Sequence, residues 1–263
     1  MMEVRQRMRR FRFFGIKDTI GMKGVAHVTK PIVNKILTGK VKQMGRPDAK
    51  DRMNRPWESG IFKNVADGKR WVGHEGFTDD EVADKKSHGG PHKALFAYPA
   101  KHYAYWREVE QIDDIGVGGF GENLSMARAD ESTVCIGDTY RFGDSIIQVS
   151  QPRRPCWKPA RRFRVMDLAL KIQNSGLTGW YYRVLQEGYA GAGMEMELID
   201  RPYPEWTIAA SNEVMYVKKR DLQLAEQLAS CELLAPNWKR SLNKRLSGRQ
   251  SSDEKRVYGP NKA

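Results

Sequence analysis

A β-hairpin signature lies at residues 139–150, which read Thr-Tyr-Arg-Phe-Gly-Asp-Ser-Ile-Ile-Gln-Val-Ser. Two runs of strand-favouring residues flank Gly143-Asp144, and a glycine-first pair is typical of a tight two-residue hairpin turn. Similar short apolar or alternating runs, separated by glycine-rich turns, continue over residues 60–200. Many short strands with close turns predict a barrel or sandwich and argue against a β-α-β sheet.

Helical patterns interrupt and follow this β-rich region. Within it, the spacing of apolar residues predicts helices at about 99–110 and 165–175. After Arg201 the chain becomes helical, with three segments that begin at the capping or first-turn residues Thr207, Asp221 and Pro236. Each segment is too short to be stable alone, so we expect the three to pack on each other or on the barrel.

The polar stretch 42–58 has a different character. It is interrupted by glycine and proline and carries few apolar residues, a pattern typical of an exposed loop. We therefore predict an exposed loop at 42–58.

The positive charge of the chain is concentrated at its ends. Residues 1–30 and residues 238–263 each hold eight Lys/Arg and two Asp/Glu, so they supply twelve of the net +13 charges. A nucleic-acid-binding face would require the charge on the folded body, so nucleic acid is not the expected partner. No apolar run approaches the roughly 20 residues that span a bilayer, so we expect no membrane insertion.

The three cysteines, Cys135, Cys156 and Cys231, lie far apart. They have neither the paired spacing of a zinc site nor the even count of a disulfide framework, which favours a reducing compartment. The cytoplasm is therefore expected. The first thirty residues are rich in arginine and poor in acidic residues, so a mitochondrial presequence remains the alternative.

The segment 150–164, Ser-Gln-Pro-Arg-Arg-Pro-Cys-Trp-Lys-Pro-Ala-Arg-Arg-Phe-Arg, is the most unusual in the chain. It places six Lys/Arg around Cys156, and no carboxylate occurs from Ser145 to Met166. Positive neighbours favour the thiolate, which is the form required of a nucleophile or a soft-metal ligand. The alternative is a structural cysteine buried under a basic surface loop, because most lone cysteines are inert.

Two further segments carry candidate binding residues. His88 and His92 have the spacing of a helical zinc pair, but the intervening Gly-Gly-Pro breaks any helix. What remains is a Gly-Gly turn that a ligand could approach closely, next to an imidazole and an ammonium, or simply a tight turn with a surface histidine. Residues 118–124, Gly-Gly-Phe-Gly-Glu-Asn-Leu, lack the strand-loop-helix context of a dinucleotide motif. Asn123 could hold loop backbone or contact a heteroaromatic ligand, and Lys63 alone reads as a solvated strand-end lysine.

Five motifs, taken together, resemble the MOSC family and most closely its YiiM branch. They are Ser-Gly-Ile-Phe-Lys at 59–63, His-Gly-Gly at 88–90, Phe-Gly-Glu-Asn-Leu at 120–124, Gly-Asp at 137–138 and Ser-Gln-Pro-Arg-Arg-Pro-Cys at 150–156. The resemblance implies a mainly β protein, a MOSC-type β-barrel followed by a small three-helix C-terminal segment. The implied division is a basic N-terminal extension (1–30), a barrel domain (31–201), a three-helix segment (202–249) and a polar tail (250–263).

The same resemblance implies a molybdenum cofactor, molybdopterin, as the ligand. The resemblance implies that Cys156 binds the metal and takes part in catalysis, and that His88 is the candidate proton donor. The cofactor-binding residues implied are Lys63, His88, Asn123, Arg153 and Arg154. Arginine forks and ammonium groups suit its phosphate, and molybdenum favours a soft thiolate.

The implied activity is the reduction of N-hydroxylated purine bases or related N-hydroxylated small molecules, with electrons from a separate flavoprotein reductase. The alternative is a carrier of the molybdenum cofactor or of sulfur without turnover of its own. Only about thirty residues precede the predicted barrel, so the pyridoxal phosphate domain of cofactor sulfurases is not expected. The resemblance leaves a homodimer open.

Overall fold

The computed structural model describes residues 30–249 and 252–262. The predicted N-terminal extension, apart from Lys30, therefore lies outside the described residues. The strands are β1 (Ile32–Thr38), β2 (Lys42–Met44), β3 (Trp57–Ser59), β4 (Asn64–Val65), β5 (Arg70–Gly73), β6 (Gly76–Phe77), β7 (Leu95–Pro99), β8 (Leu124–Ala127), β9 (Thr139–Phe142), β10 (Ser145–Pro152), β11 (Trp180–Gln186), β12 (Gly188–Ala190) and β13 (Glu197–Asp200). The helices are α1 (Lys85–His88), α2 (His102–Glu108), α3 (Lys158–Phe163), α4 (Leu168–Ser175), α5 (Ile208–Asn212), α6 (Leu222–Ser230), α7 (Pro236–Leu246) and α8 (Glu254–Val257).

Eight strands form one curled mixed sheet in the order β13-β9-β10-β11-β7-β8-β1-β4. The predicted hairpin is confirmed: β9 and β10 pair antiparallel from Ser145 opposite Phe142 to Gln148 opposite Thr139. Its turn requires a left-handed backbone at Gly143, whose φ is +61°. Strands β7 and β8 run parallel, which makes the sheet mixed. The structure thus has the expected mainly β class, with the sheet curled as a half-barrel.

The concave side of the sheet is filled by large apolar side chains. Tyr140, Phe142 and Trp180 are almost completely buried there. A second apolar cluster, around Tyr98 and Trp106, lies between the sheet and helix α2. Each such side chain stabilises the fold by roughly 1.5–3 kcal/mol relative to its exposed state.

The C-terminal helices begin where the capping residues predict. The Thr207 side chain accepts a hydrogen bond from the N–H of Ala210 (3.0 Å), and Asp221 accepts one from Leu224 (3.0 Å). Pro236 occupies the first turn of α7. Trp238 of α7 is fully buried and its Nε1 donates to the carbonyl of Pro152 at the end of β10 (3.1 Å). The helical segment is therefore tied directly to the strand that leads to Cys156.

The prediction of an exposed loop at 42–58 is wrong in part. Strands β2 and β3 pair within it, and Met53 is buried. The cause is a long-range contact, because Arg161 of α3 donates to the carbonyls of Arg52 (2.7 Å) and Arg55 (2.8 Å). These bonds fix a polar backbone that has few apolar residues of its own.

The helices predicted inside the β-rich region are shorter in the structure. The segment at 99–110 contains α2 (His102–Glu108), and the segment at 165–175 contains α4 (Leu168–Ser175). Helix α3 was not predicted. Its proline lies in the first turn, where the missing N–H is tolerated.

Residues 252–262 belong to the segment that the sequence assigns to a polar tail. They form α8 and a 3₁₀ turn, and they pack against the loop after β10. Val257 is 1% exposed. The close approach of Gly259 to the Trp157 ring leaves no space for a side chain, because a Cβ atom there would lie 2.3 Å from the ring.

Candidate active site

A cleft of about 640 Å³, open to solvent, lies where the loop after β10 faces α1 and β7. Five of the six residues that the sequence predicts for the site line this first cleft: Lys63, His88, Asn123, Arg153 and Cys156. The chain brings them together from four separate motifs, because Arg153 and Cys156 belong to the same one. Helix α1 ends at His88, and the positive φ of Gly90 (+86°) lets the chain turn away there.

The thiol of Cys156 is buried, with 8% of the residue exposed. Burial raises its pKa, but the charge of His88, a hydrogen bond with the His88 side chain and the charge of Arg153 lower it more, to about 6. Cys156 is therefore largely a thiolate at neutral pH. A buried thiolate beside an imidazole and a guanidinium can bind a soft metal or attack an electrophile.

The loop that carries Cys156 is held from outside the barrel. The N–H of Trp157 donates to the carbonyl of Arg256 (3.0 Å), and the Arg256 guanidinium donates to the carbonyl of Pro155. The prolines on both sides of the arginine pair restrict the backbone further. The sulfur of Cys156 thus occupies a fixed position at the cleft wall.

Arg153 is a buried cation of the site without a carboxylate partner. Only 5% of it is exposed, and its guanidinium lies over the rings of Phe96 (4.8 Å) and Phe120 (5.6 Å). Its Nη1 atom has no hydrogen-bond partner, and it makes no ion pair with any residue of 30–249 or 252–262. A buried cation without a carboxylate is costly unless a ligand anion neutralises it. The residues present therefore fit an anionic, phosphate-bearing group that also offers a soft metal.

Lys63 and Asn123 form a network with Asp80, which the sequence analysis missed. Asp80 accepts hydrogen bonds from Lys63 Nζ, from Asn123 Nδ2 (2.8 Å) and from the N–H of Gly39 (2.9 Å). The Asn123 Oδ1 atom accepts a bond from the N–H of Phe96 (3.1 Å). Both predicted residues thus line the cleft with most of their bonding capacity already used. The charge of Lys63 is neutralised by Asp80.

Arg154, the sixth predicted residue, does not join the other five. Its guanidinium donates to Ser241 of α7 (2.8 Å) and to Asp253 (3.1 Å) and lines a second cleft, which Cys156 also lines. Lys93, which was not predicted, lines both clefts. Burial lowers the pKa of Lys93, and its Nζ donates to the carbonyl of Ser87. The sequence places an ammonium next to the Gly-Gly turn, but nothing in it separates Lys93 from an ordinary surface lysine.

The described residues contain no cluster of three or more His, Cys, Asp or Glu that could hold a metal ion. A metal bound by Cys156 would need further ligands from another molecule. Over the ranges that the structure describes, no helix has the length and apolar character needed to cross a bilayer.

Comparison with known proteins places these features in a family. The MOSC domain family matches residues 84–197, and the YiiM-like, 3-alpha helix domain matches residues 206–249. Protein YiiM of Escherichia coli (strain K12) is 37% identical over 227 residues, which cover 85% of this chain and 97% of that protein. A protein named "Reductase" from Gibberella moniliformis (strain M3125 / FGSC 7600) is 32% identical over 83% of this chain and 38% of its own length.

The fold supports the same assignment. The crystal structure of YiiM from Geobacillus stearothermophilus superposes with a TM-score of 0.68 at 32% identity, covering 82% of this chain and 99% of that one. Sequence and fold agree over both the curled sheet and the helices that follow it. The chain therefore belongs to the YiiM-like branch of the MOSC domain family.

Proposed function

We propose that this chain is a molybdenum-cofactor-dependent reductase of N-hydroxylated purine bases or related N-hydroxylated compounds, supplied with electrons by a separate flavoprotein reductase. One observation carries the proposal. The thiolate of Cys156 lies in the same cleft as Arg153, a buried guanidinium that lacks a carboxylate partner. A cleft that offers a soft thiolate ligand and a guanidinium without a carboxylate partner is suited to a metal attached to an anionic organic group.

Particular residues would hold such a cofactor. The Cys156 sulfur would bind the molybdenum. The Arg153 guanidinium and the Lys93 ammonium would hold the anionic part, while the Lys63–Asp80 pair with Asn123 shapes the far wall. A relative named a reductase supports redox chemistry in this family.

The reaction requires two electrons and two protons, because an N-hydroxyl compound becomes an amine and one water molecule. When bound, the cofactor supplies the two-electron reduction at molybdenum, which removes the hydroxyl oxygen. The protein supplies protons at the cleft wall. The His88 ring remains our candidate proton donor, since it lines the cleft and makes a hydrogen bond with the Cys156 side chain. Lys93, which holds protons on Nζ at the same wall, is the other candidate.

Turnover by loaded protein tests the proposal. Protein from a host that makes the cofactor is analysed for molybdenum and then mixed with 6-hydroxylaminopurine and an artificial electron donor. We expect adenine to form in proportion to the bound molybdenum. Bound molybdenum without adenine formation would favour the alternative, a carrier of the cofactor or of sulfur.

The compartment and the electron donor are part of the same proposal. All three cysteines are free, which supports a reducing compartment, and we place the protein in the cytoplasm. Purified flavoprotein reductases from the same cytoplasm would replace the artificial donor in the assay. A reductase that supports turnover at micromolar concentration would identify the partner.

A further inference from the structure

The second cleft is larger and more basic than the first. Its volume is about 1330 Å³, and it lies between the Cys156 loop, α1, the start of α7 and residues 252–256. Six cations line it, against the two carboxylates of Asp84 and Asp253. These cations are Lys86, Lys93, Arg154, Lys158, Lys255 and Arg256. Such an excess of positive charge attracts anions into the cleft.

Three of these cations are free to bind a ligand. Arg154 and Arg256 share Asp253, each at 3.1 Å. Lys93 donates to the carbonyl of Ser87. Lys86, Lys158 and Lys255, in contrast, have neither an ion pair nor a side-chain hydrogen bond with any residue that the structure describes. The ammonium groups at the mouth of the cleft therefore remain available for a phosphate group.

The floor of the second cleft carries an unpartnered amide. Gln151, the residue before Pro152, is 1% exposed, and its Oε1 atom has no hydrogen-bond partner among the described residues. Its Nε2 makes only a long bond to the carbonyl of Pro152 (3.3 Å). A buried amide with an unused acceptor is suited to the edge of a nucleobase, which offers both donors and acceptors. The indole of Trp157 supplies an aromatic wall beside it.

The two clefts meet at Cys156. Both are lined by Asp84, His88, Lys93, Cys156, Lys158 and Tyr181. A molecule in the second cleft would therefore reach Cys156, whereas Arg153 lines the first cleft alone.

We infer that the second cleft is a nucleotide-binding subsite, with the phosphate at Lys86, Lys158 and Lys255 and the base directed towards Gln151. The inference rests on the proposed function and names its substrate class, a purine nucleotide that carries the N-hydroxyl group. The free base would occupy the same cleft without the phosphate contacts and would bind more weakly.

Calorimetric titration of the full-length protein, prepared without cofactor, tests the subsite. The ligands are adenosine 5′-monophosphate and adenine at low ionic strength. We expect the monophosphate to bind at least about tenfold more tightly than adenine, and the double variant Lys86→Gln/Lys255→Gln to lose that difference. The matched control is Lys35→Gln/Lys69→Gln, which removes two exposed lysines outside both clefts.

Two results would overturn the subsite. One is that the unmodified protein binds the monophosphate and adenine with equal affinity, or that the two double variants bind the monophosphate with equal affinity. The other is loss of monophosphate binding in Arg153→Gln with full binding in Lys86→Gln/Lys255→Gln, because the nucleotide would then occupy the first cleft. The titration needs no cofactor, so a protein that binds the nucleotide but reduces nothing would contradict the reductase proposal and leave the subsite intact.

Discussion

The loop around Cys156 and the region around Cys135 and Cys231 hold the same chemical group in opposite electrostatic surroundings. All three cysteines are buried. Burial raises the pKa of Cys135 and of Cys231, and nearby carboxylates raise them further, to about 11 in each case. The pKa of Cys156 is instead lowered to about 6. Burial by itself favours a neutral thiol, so the neighbouring charges determine which cysteine is reactive.

His88 has the largest lowering effect on the pKa of Cys156, and the partners of the nearby arginines account for a further part of the difference. Close to Cys135, Arg201 donates two hydrogen bonds to Asp138 (2.8 and 2.7 Å), so its charge is neutralised by a carboxylate. Close to Cys156, Arg153 has no such partner, in a stretch of sequence without carboxylates. An arginine beside a thiol therefore lowers its pKa effectively only when no carboxylate competes for that arginine.

Replacing the reactive sulfur has the largest expected effect. In Cys156→Ser we expect molybdenum content and turnover to fall to background, because a hydroxyl group is a poor ligand for a soft metal. Elemental analysis and the hydroxylaminopurine assay measure the two quantities. The melting temperature should change by only a few degrees, because the side chain keeps nearly the same volume.

The matched control is Cys135→Ser, which removes a buried thiol whose pKa is raised and not lowered. Its molybdenum content and turnover should equal those of the unmodified protein. Equal loss in both variants would mean that the sulfur of Cys156 contributes through packing alone, and the comparison between the two regions would fail.

Substituting the neighbouring arginines one at a time separates charge from structure. Arg153→Met removes the cation without a carboxylate partner, so we expect cofactor occupancy to fall at least about tenfold, the equivalent of one charge-assisted bond. Arg154→Met breaks the bonds to Ser241 and Asp253, so it should cost about 1–2 kcal/mol of unfolding free energy and leave occupancy nearly unchanged.

Occupancy is read from the molybdenum-to-protein ratio, and stability from urea unfolding of the cofactor-free variants. If Arg154→Met lost the cofactor and Arg153→Met retained it, the roles of the two clefts would be reversed.

Removing the His88 side chain should alter reactivity without removing the thiol. The charge of His88 and its hydrogen bond are the largest influences that lower the pKa of Cys156. In His88→Gln we therefore expect the pH midpoint of iodoacetamide alkylation to rise from about 6 towards the ordinary thiol value. Mass spectrometry assigns the alkylated residue, with Lys86→Gln as the control. An unchanged midpoint would show that Arg153 alone maintains the thiolate.

Local chemistry made part of the fold predictable. The hairpin at 139–150 and the caps at Thr207 and Asp221 depend on turn and capping preferences that act over a few residues. The parallel pairing of β7 with β8 could not be derived in this way, because it joins residues about 27 positions apart through tertiary packing.

The candidate site, too, has features that local sequence predicts and features that depend on distant residues. Motif residues such as Cys156 and His88 could be selected from the sequence, and they do line one cleft. The sequence could not show that Arg153 and Arg154 line different clefts, because the position of Arg154 depends on Asp253, 99 residues further along the chain. Asp80 was missed for a similar reason, since its importance comes from Lys63 and Asn123 and not from its own neighbours.

The smallest expected effect is on stability, and its sign differs between the two regions. An unfolded thiol titrates at about pH 8.5. The lowered pKa of Cys156 therefore contributes stability that is fully present above that value and is lost as the pH falls through about 6. The raised pKa of Cys135 contributes stability that is present below about pH 8.5 and is lost as the pH rises towards about 11.

Urea unfolding of the cofactor-free protein, Cys156→Ala and Cys135→Ala at a series of pH values measures both contributions. The difference in unfolding free energy between the unmodified protein and Cys156→Ala should increase from about pH 6 to pH 8.5, by at most about 1.4 kcal/mol per pH unit. The corresponding difference for Cys135→Ala should stay flat over that range and decrease above it. Two curves of the same slope would show that the thiols titrate alike, and the electrostatic contrast between the regions would then have no energetic basis.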